Sequence, residues 1–402
     1  MNALLSNRWF LASFFYLSSA LNYVDRLVLG AMAPHLMKVL DFSIPQYGSL
    51  QSLFYIVYAI CSPLAGYLLD RIGLNRGVSI AIAIWSLAGI LRGYVDSYWG
   101  LVAASCLLAV GESAGIPATA KFAQRYLKPS ERAMGAGISQ LGLALGSFLA
   151  PIFVNHFVNS GNWQYAFVVP GLMGFAWIPV WLWMSGHASV KEPAPESGQR
   201  QLLAGQLLRD RGMWALWIGN LLGMVPYALW SGNWTTLYFT QTFGLSMQAA
   251  NEYGKYTHLV NYAGALTGGW ISMMLVRRGW RPANARLQVC GLVAVGQLLN
   301  FAIPMASTPL LATIGICAAY VLAAMWGVNF YTLPVDRYGH ATAAFAVSLL
   351  TSAFGILQVV ISPWIGRTVQ TSGFQSVCIL ASICPIIAFG IVWLTRPAEE
   401  RT

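Results

Sequence analysis

Apolar runs and short polar breaks alternate along the whole chain. Twelve runs are counted, at 9–34, 46–69, 77–95, 98–125, 132–156, 163–185, 212–240, 247–276, 285–303, 308–333, 341–365 and 373–395. About 20 mostly apolar residues let a helix cross the hydrocarbon core of a bilayer. Inside lipid the backbone must satisfy its own hydrogen bonds, and closely spaced runs of this length do so only as helices. The pattern therefore predicts an all-α membrane protein with twelve transmembrane helices.

The one long polar interval is Gly186–Asp210, which holds His187 and the segment KEPAPESGQRQ. It divides the expected fold into a six-helix bundle over 1–185, a linker over 186–210 and a second six-helix bundle over 211–402. Each half also carries a glycine-rich helix end that runs into a basic turn. In the first half it is Gly66-Tyr-Leu-Leu-Asp70-Arg71-Ile-Gly73-Leu-Asn-Arg76; in the second it is Gly269-Trp-Ile-Ser272-Met273, then Arg277-Arg278-Gly279. Half a chain separates them, as a parallel repeat requires. Gly142 and Gly146, and Gly264 and Gly268, are small-residue pairs at helical spacing. Such pairs let helix backbones approach closely, in static packing or in rocking.

Composition agrees with the pattern. The chain is 57% hydrophobic and 9% charged, with a mean hydropathy of +0.59, where a soluble domain carries roughly 25% charged residues. A net charge of +10 raises the question of nucleic acid, but the basic residues sit in short loops between apolar runs and read as topology signals. One set of loops holds Arg71, Arg76, Lys121, Arg125, Lys128, Arg132, Lys191, Arg200, Arg209, Arg211, Arg277, Arg278, Arg281, Arg286 and Arg337. The opposite set has little beyond Lys38, Arg92, Lys255 and Arg367. The first set is expected in the cytoplasm, with both termini. Six cysteines lie in apolar segments without a CxxC pair, so they read as free thiols, and no metal or cofactor is expected. The first apolar stretch is too long and too polar at Asn22, Asp25 and Arg26 for a cleaved signal peptide.

Three ionisable residues interrupt the runs. Asp25 and Arg26 adjoin near the middle of the first, and Glu112 lies at similar depth in the fourth. A charge in a membrane span is costly and marks a functional site by default, with a structural ion pair as the bland alternative. Adjacent residues point about 100° apart on a helix, so Arg26 need not pair with Asp25. Gly111-Glu112-Ser113-Ala114-Gly115 fits a G-x-S-x-G nucleophile pattern, but that motif needs a strand-to-helix elbow and His and acid partners. Here it is expected inside a continuous apolar helix. Walker, dinucleotide and HExxH patterns are absent from the sequence.

The loop Gly66-x-x-x-Asp70-Arg71-x-Gly73-x-x-Arg76, with twelve helices in two halves, resembles the signature of the major facilitator superfamily. Asn22-Tyr23-x-Asp25-Arg26 resembles, more narrowly, the anion:cation symporter family of sugar-acid, hexuronate and organic-anion:proton symporters. Leu107-Leu108-Ala109-Val110-Gly111-Glu112, Pro117-Ala118, Pro129-x-Glu131-Arg132 and Leu333-Pro334-x-Asp336 support it. The resemblance implies that Tyr23 and Arg26 contact an anionic substrate, with Gln140 in helix 5 as a further contact. It implies that Asp25 and Glu112 handle protons, and that Asp70, Arg71 and Arg76 belong to a gating loop. Two places depart from the family. Its helix 4 arginine, seven residues before the glutamate, is Ser105 here; two turns from Glu112 it shares that face and stays a substrate-binding candidate, but a hydroxyl does not replace a bidentate carboxylate clamp. The acid expected in the second-half motif is Met273, which leaves the gating charges mainly on Asp70.

Aromatic and amide residues in the second half are further candidates for the cavity wall: Trp230 and Asn233 in helix 7, and Trp326 and Asn329 in helix 10. Packing or an interfacial belt is the competing reading of such stripes. The combined expectation is a monomeric, proton-coupled importer of a small organic anion in the bacterial inner membrane. Its partners are the anion, protons and the lipid bilayer, without nucleic acid and without enzymatic activity. A drug or metabolite:proton antiporter, an uncoupled facilitator and a transport-dead membrane sensor remain alternatives.

Overall fold

The computed structural model describes residues 7–127, 132–187, 207–231, 233–338 and 340–396. Most of the expected linker, and Pro129 and Glu131 of the helix 4–5 loop, lie outside the described residues. So do the side chains of Asp70, Arg71, Gln140 and His258.

Every predicted run is helical. The first half holds α1 (Arg8–Val39), α2 (Ile44–Ile72), α3 (Leu74–Arg92), α4 (Tyr98–Glu112), α5 (Gly115–Tyr126), α6 (Arg132–Asn159) and α7 (Tyr165–Gly186). The second holds α8 (Arg211–Gly223), α9 (Val225–Trp230), α10 (Thr235–Phe243), α11 (Met247–Arg277), α12 (Pro282–Gly296) continued by a 3₁₀ turn (Gln297–Met305), α13 (Pro309–Phe330), α14 (Leu333–Tyr338), α15 (His340–Ser372) and α16 (Gln375–Leu394). Among the described residues there is no strand. Among the described residues, ten helical stretches are long and apolar enough to cross a membrane. The two remaining runs form α1 and α2, which at 32 and 29 residues have ample length.

Helix starts follow local chemistry. Ser43 caps α2 in a reciprocal capping box with Gln46, Ser97 caps α4, Asp210 caps α8 and Thr308 caps α13. Each side-chain oxygen satisfies an otherwise orphaned amide of the first turn. Between α2 and α3 the chain turns at Gly73, whose φ of +84° lies where a side chain is strained. That explains the glycine in the motif. Lys121 Nζ donates to Leu69 O at the C-terminal end of α2, at 2.8 Å, a favourable place for a cation on a helix dipole.

The fourth run corrects the sequence reading. It is not a continuous helix: α4 ends on Glu112, Ser113 and Ala114 turn, and α5 begins at Gly115. Ser113 Oγ donates to Val110 O at 2.7 Å, so the hydroxyl satisfies a carbonyl at the break. Broken spans are tolerated where side chains re-satisfy the freed backbone groups. The seventh run is broken likewise, into α8, α9 and α10.

The glycine pairs mark close helix seams. A Cβ on Gly146 of α6 would lie 2.2 Å from Ala20 O of α1, and one on Gly264 of α11 would lie 2.3 Å from Val321 O of α13. The chain divides into two compact units, Met1–Pro195 with Met247–Lys255, and Glu196–Ser246 with Tyr256–Thr402. The start of α11 belongs to the first unit because Asn251 Nδ2 donates to Ala31 O at 3.1 Å and to Asn155 Oδ1 at 3.0 Å. In the first unit Phe15, Phe122, Trp177 and Trp181 form an aromatic core, with Phe15 and Phe122 stacked at 4.3 Å. Outward positions such as Leu64, Leu266, Leu292 and Val360 are exposed, as lipid-facing surface should be.

Candidate functional site

The site is built from α1, α2, α3 and α4 within the first unit. Arg26 on α1 reaches the last residue of α4. Its Nε donates to Glu112 Oε2 at 2.7 Å and its Nη2 lies 2.6 Å from the same oxygen. Glu112 is fully buried, and the Arg26 side chain is 17% exposed. The break after Glu112 puts this carboxylate at a helix terminus. Gly111 brings α4 against α3: a Cβ there would lie 2.6 Å from Trp85 N.

Three rings surround the guanidinium. Arg26 Cζ lies 5.4 Å from the Tyr23 ring, 5.5 Å from Phe54 and 5.1 Å from Tyr58. Each is within cation–π range. Rings and ion pair together hold Arg26 in one place while leaving it partly accessible.

A second guanidinium enters from α3. Arg92 is 1% exposed; its Nη1 donates to the main-chain oxygen of Asp25 at 2.8 Å, and its Cζ sits 4.6 Å over the Phe167 ring. Asp25 is equally buried, and neither of its carboxylate oxygens has a hydrogen-bond partner. Its carboxylate points at Gly89 on α3, where a Cβ would lie 3.0 Å from Oδ1. Arg92 Nε, Ser105 Oγ and Glu112 Oε1 are also buried without a partner. Arg26 and Arg92 line one cavity with Leu29, Gln51, Phe54, Tyr55, Ser105 and Leu108. Its free space of about 10 Å³ is room for one water. Larger solutes therefore have to move these side chains.

Burying charges that lack full pairing costs free energy. Such arrangements persist where chemistry needs them rather than where stability does.

Of the residues expected in the site, Tyr23, Asp25, Arg26, Ser105 and Glu112 converge here. Sequence reasoning missed Gln51, Phe54, Tyr55 and Tyr58, although the Phe54-Tyr55-x-x-Tyr58 stripe on α2 was visible. It also read Arg92 as a loop residue. The second-half candidates are buried in the second unit. Trp230 is buried, donating Nε1 to Asn300 Oδ1 at 2.8 Å and meeting Tyr238 edge-on. Trp326 is stacked on Phe330 at 4.9 Å and packs against Gly223. Asn329 Nδ2 donates to Gly268 O and Met325 O, at 3.1 and 2.9 Å. Asn233 is buried in the turn between α9 and α10. These four pack within the second unit. Arg76 is exposed at the start of α3. The second unit has an ion pair of its own, Arg286 with Asp336, near a hydrogen bond from Tyr338 to Asp210, so its helix ends do not lack charged contacts despite Met273.

Fold and site together define a multi-pass helical membrane protein with an ion-lined interior, the architecture of a carrier. The sequence profile of the Major Facilitator Superfamily matches residues 15–363, and the chain belongs to that superfamily. Among its relatives, the hexuronate transporter of Escherichia coli (strain K12) is 23% identical over 98% of this chain and 95% of its own. The galacturonate transporter of Dickeya chrysanthemi is 24% identical over 66% of this chain and 82% of its own. Two solved structures share the fold. A D-xylose-proton symporter aligns with a TM-score of 0.75 at 16% identity, covering 98% of this chain and 100% of that one. A bacterial homolog of the human lysosomal transporter Spinster, inward-facing and unoccupied, aligns with a TM-score of 0.74 at 18% identity, covering 96% and 95%. Family and relatives are transporters, so this protein is a transporter and not an enzyme.

Proposed function

We propose that the protein imports a small organic anion, a sugar acid or related carboxylate, together with protons. We place it in the bacterial inner membrane as a monomer with both termini in the cytoplasm. The observation that carries the reading is the Arg26–Glu112 pair. Nε and Nη2 of Arg26 both meet one oxygen, Glu112 Oε2. A substrate carboxylate needs those same donors, so substrate and Glu112 compete for one cation. A proton on Glu112 releases Arg26 to the anion; loss of that proton lets Glu112 reclaim Arg26 and expel the anion.

Asp25 is the second proton carrier in this scheme. It is buried on α1 one residue before Arg26, and neither of its carboxylate oxygens has a hydrogen-bond partner. Tyr23, Phe54 and Tyr58 confine the guanidinium and offer ring faces to the C–H faces of a sugar. Ser105 supplies a hydroxyl, and the family resemblance adds Gln140. The loop of Asp70, Arg71 and Arg76 gates access. The transporters of hexuronate and galacturonate among the relatives support an acidic sugar as cargo, and the xylose-proton symporter supports proton drive within this fold. If more protons than substrate charges enter per cycle, the membrane potential adds about 2.3 kcal/mol per charge per 100 mV.

Proteoliposomes test the scheme. An inward proton gradient is expected to concentrate a sugar acid above its external level. Glu112→Gln is expected to exchange internal for external substrate yet fail to concentrate it. Concentrative uptake by Glu112→Gln would sink the competition mechanism, and alkaline drive or proton release on substrate entry would indicate antiport.

A further inference from the structure

The family resemblance places an arginine where this chain has Ser105, and the fold puts a different arginine beside that gap. Arg92 comes from the end of α3 and lines the same cavity as Arg26 and Ser105. Its sequence position among the few basic residues of the opposite loop set suggested a topological role. The structure buries it instead, at 1% exposure. The only hydrogen bond described for its guanidinium is to a main-chain oxygen, Asp25 O, and Nε is buried without a partner. A neutral carbonyl and the face of Phe167 leave its charge without an ion-pair partner at salt-bridge distance among the described residues. Gly89, one turn earlier, leaves room for the Asp25 carboxylate beside α3. The cavity thus holds two cations from different helices, Arg26 and Arg92, with one acid near each, Glu112 and Asp25.

We propose that Arg92 is a second substrate-binding cation and that the preferred cargo is a small organic dianion, one acidic group held at Arg26 and the other at Arg92. This rests on the reading of the cavity as an organic-anion site. The charge count supports it. With both acids carrying protons, the two guanidiniums present two positive charges, which a dianion cancels and a monoanion leaves half unpaired. Unpaired buried charge is the expensive state in a low-dielectric site. Arg92 Nε and Ser105 Oγ supply unused hydrogen-bonding capacity around the second group.

The test uses matched acids of equal chain length carrying one or two carboxylates: gluconate with glucarate, butyrate with succinate, and hexanoate with adipate. Binding to the purified full-length protein is read by thermal shift and titration at a pH where all carboxylates are ionised. Wild type is expected to bind at least one dicarboxylate about tenfold or more tighter than its partner, the scale of one buried charge pair. Arg92→Gln is expected to collapse that ratio toward one. Adding Ser105→Arg to Arg92→Gln, which returns a cation to the cavity from α4, is expected to restore much of it. A ratio unchanged by Arg92→Gln, or equal weakening of both acids, overturns the assignment. If Arg92→Gln does not fold, Arg92→Lys decides: a narrowed ratio supports the proposal and an unaltered one overturns it. Arg26→Ala separates the two levels of argument. Loss of both acids in Arg26→Ala with no selective effect at Arg92 leaves the anion site standing and removes Arg92 from it. Absence of any effect in Arg26→Ala removes the site itself.

Discussion

The two units use one scaffold for different ends. Buried charged side chains among the described residues are Asp25, Arg92 and Glu112, all in the first unit. Buried polar residues of the second unit are neutral, among them Asn220, Gln297, Asn300, Asn329 and Gln358. Its ion pair, Arg286 with Asp336, keeps both partners partly exposed. Neutral amides in an apolar surround can satisfy one another and nearby carbonyls: Gln297 Nε2 donates to Ala319 O, Asn300 Nδ2 to Gln297 Oε1, and Trp230 Nε1 to Asn300 Oδ1. Charges are far harder to satisfy there. The lesson is that parallel halves with similar helices need not share chemistry. Neutral amides tie helices together in one, and titratable groups are buried in the other.

The sharpest way to break this comparison is to truncate one polar residue in each unit. Arg26→Ala removes a cation from a desolvated pair, a loss of about 3 kcal/mol or more and so roughly a hundredfold in apparent affinity. Uptake in proteoliposomes should fall to background while the protein still folds. Asn329→Ala removes an amide that bridges Gly268 O and Met325 O. It should lower the melting temperature, at a cost of about 1 kcal/mol per lost hydrogen bond, and leave KM for uptake unchanged. A large KM effect from Asn329→Ala with none from Arg26→Ala would reverse the assignment of the units.

Asp25→Asn gives the next largest effect and separates function from stability. The neutral amide keeps the shape of a carboxylate whose oxygens have no hydrogen-bond partner. Relief of an unpaired buried charge should raise thermal stability, in the direction expected when a functional strain is removed. Concentrative uptake should be lost at the same time. A stable, fully concentrating Asp25→Asn protein would leave Glu112 as the sole proton carrier of the scheme.

Much of this was legible in the amino-acid sequence, and for a physical reason. Lipid imposes a length and hydropathy on every span, so the runs and the polar interval at 186–210 could be read directly. Asp25, Arg26 and Glu112 stood out because charge is rare in such runs. Arg92 did not stand out, because it ends its run and hydropathy cannot say whether an arginine at a helix end turns outward or inward. Trp230 and Trp326 illustrate the opposite difficulty. A helical aromatic stripe has the same spacing whether it lines a cavity or fills a core, and here Asn300, Phe330 and Gly223 fill the space around them. The break after Glu112 was hidden because glycine and serine within an apolar run are compatible with both a continuous and an interrupted helix.

The smallest effects are expected where the units should behave alike. Gly146 and Gly264 each seat one helix on the backbone of another, and a Cβ on either would lie 2.2 or 2.3 Å from a carbonyl oxygen. Backbone cannot step aside as a side-chain end can, so Gly146→Ala and Gly264→Ala should each destabilise by roughly 1–3 kcal/mol, as overpacking does. Gly269 is the internal control: it lies in the same helix as Gly264, with nothing within 4 Å of its Cβ position. Gly269→Ala should stabilise by about 0.5–1 kcal/mol through helix propensity alone. Melting temperatures of the three purified variants measure this. Equal losses at Gly146 and Gly264 would place the two seams on the same footing in both units. Tolerance at Gly146 alone would mean that α1, which carries Asp25 and Arg26, can shift against α6 where α11 cannot shift against α13, and the difference between the units would then extend from their charges to their packing.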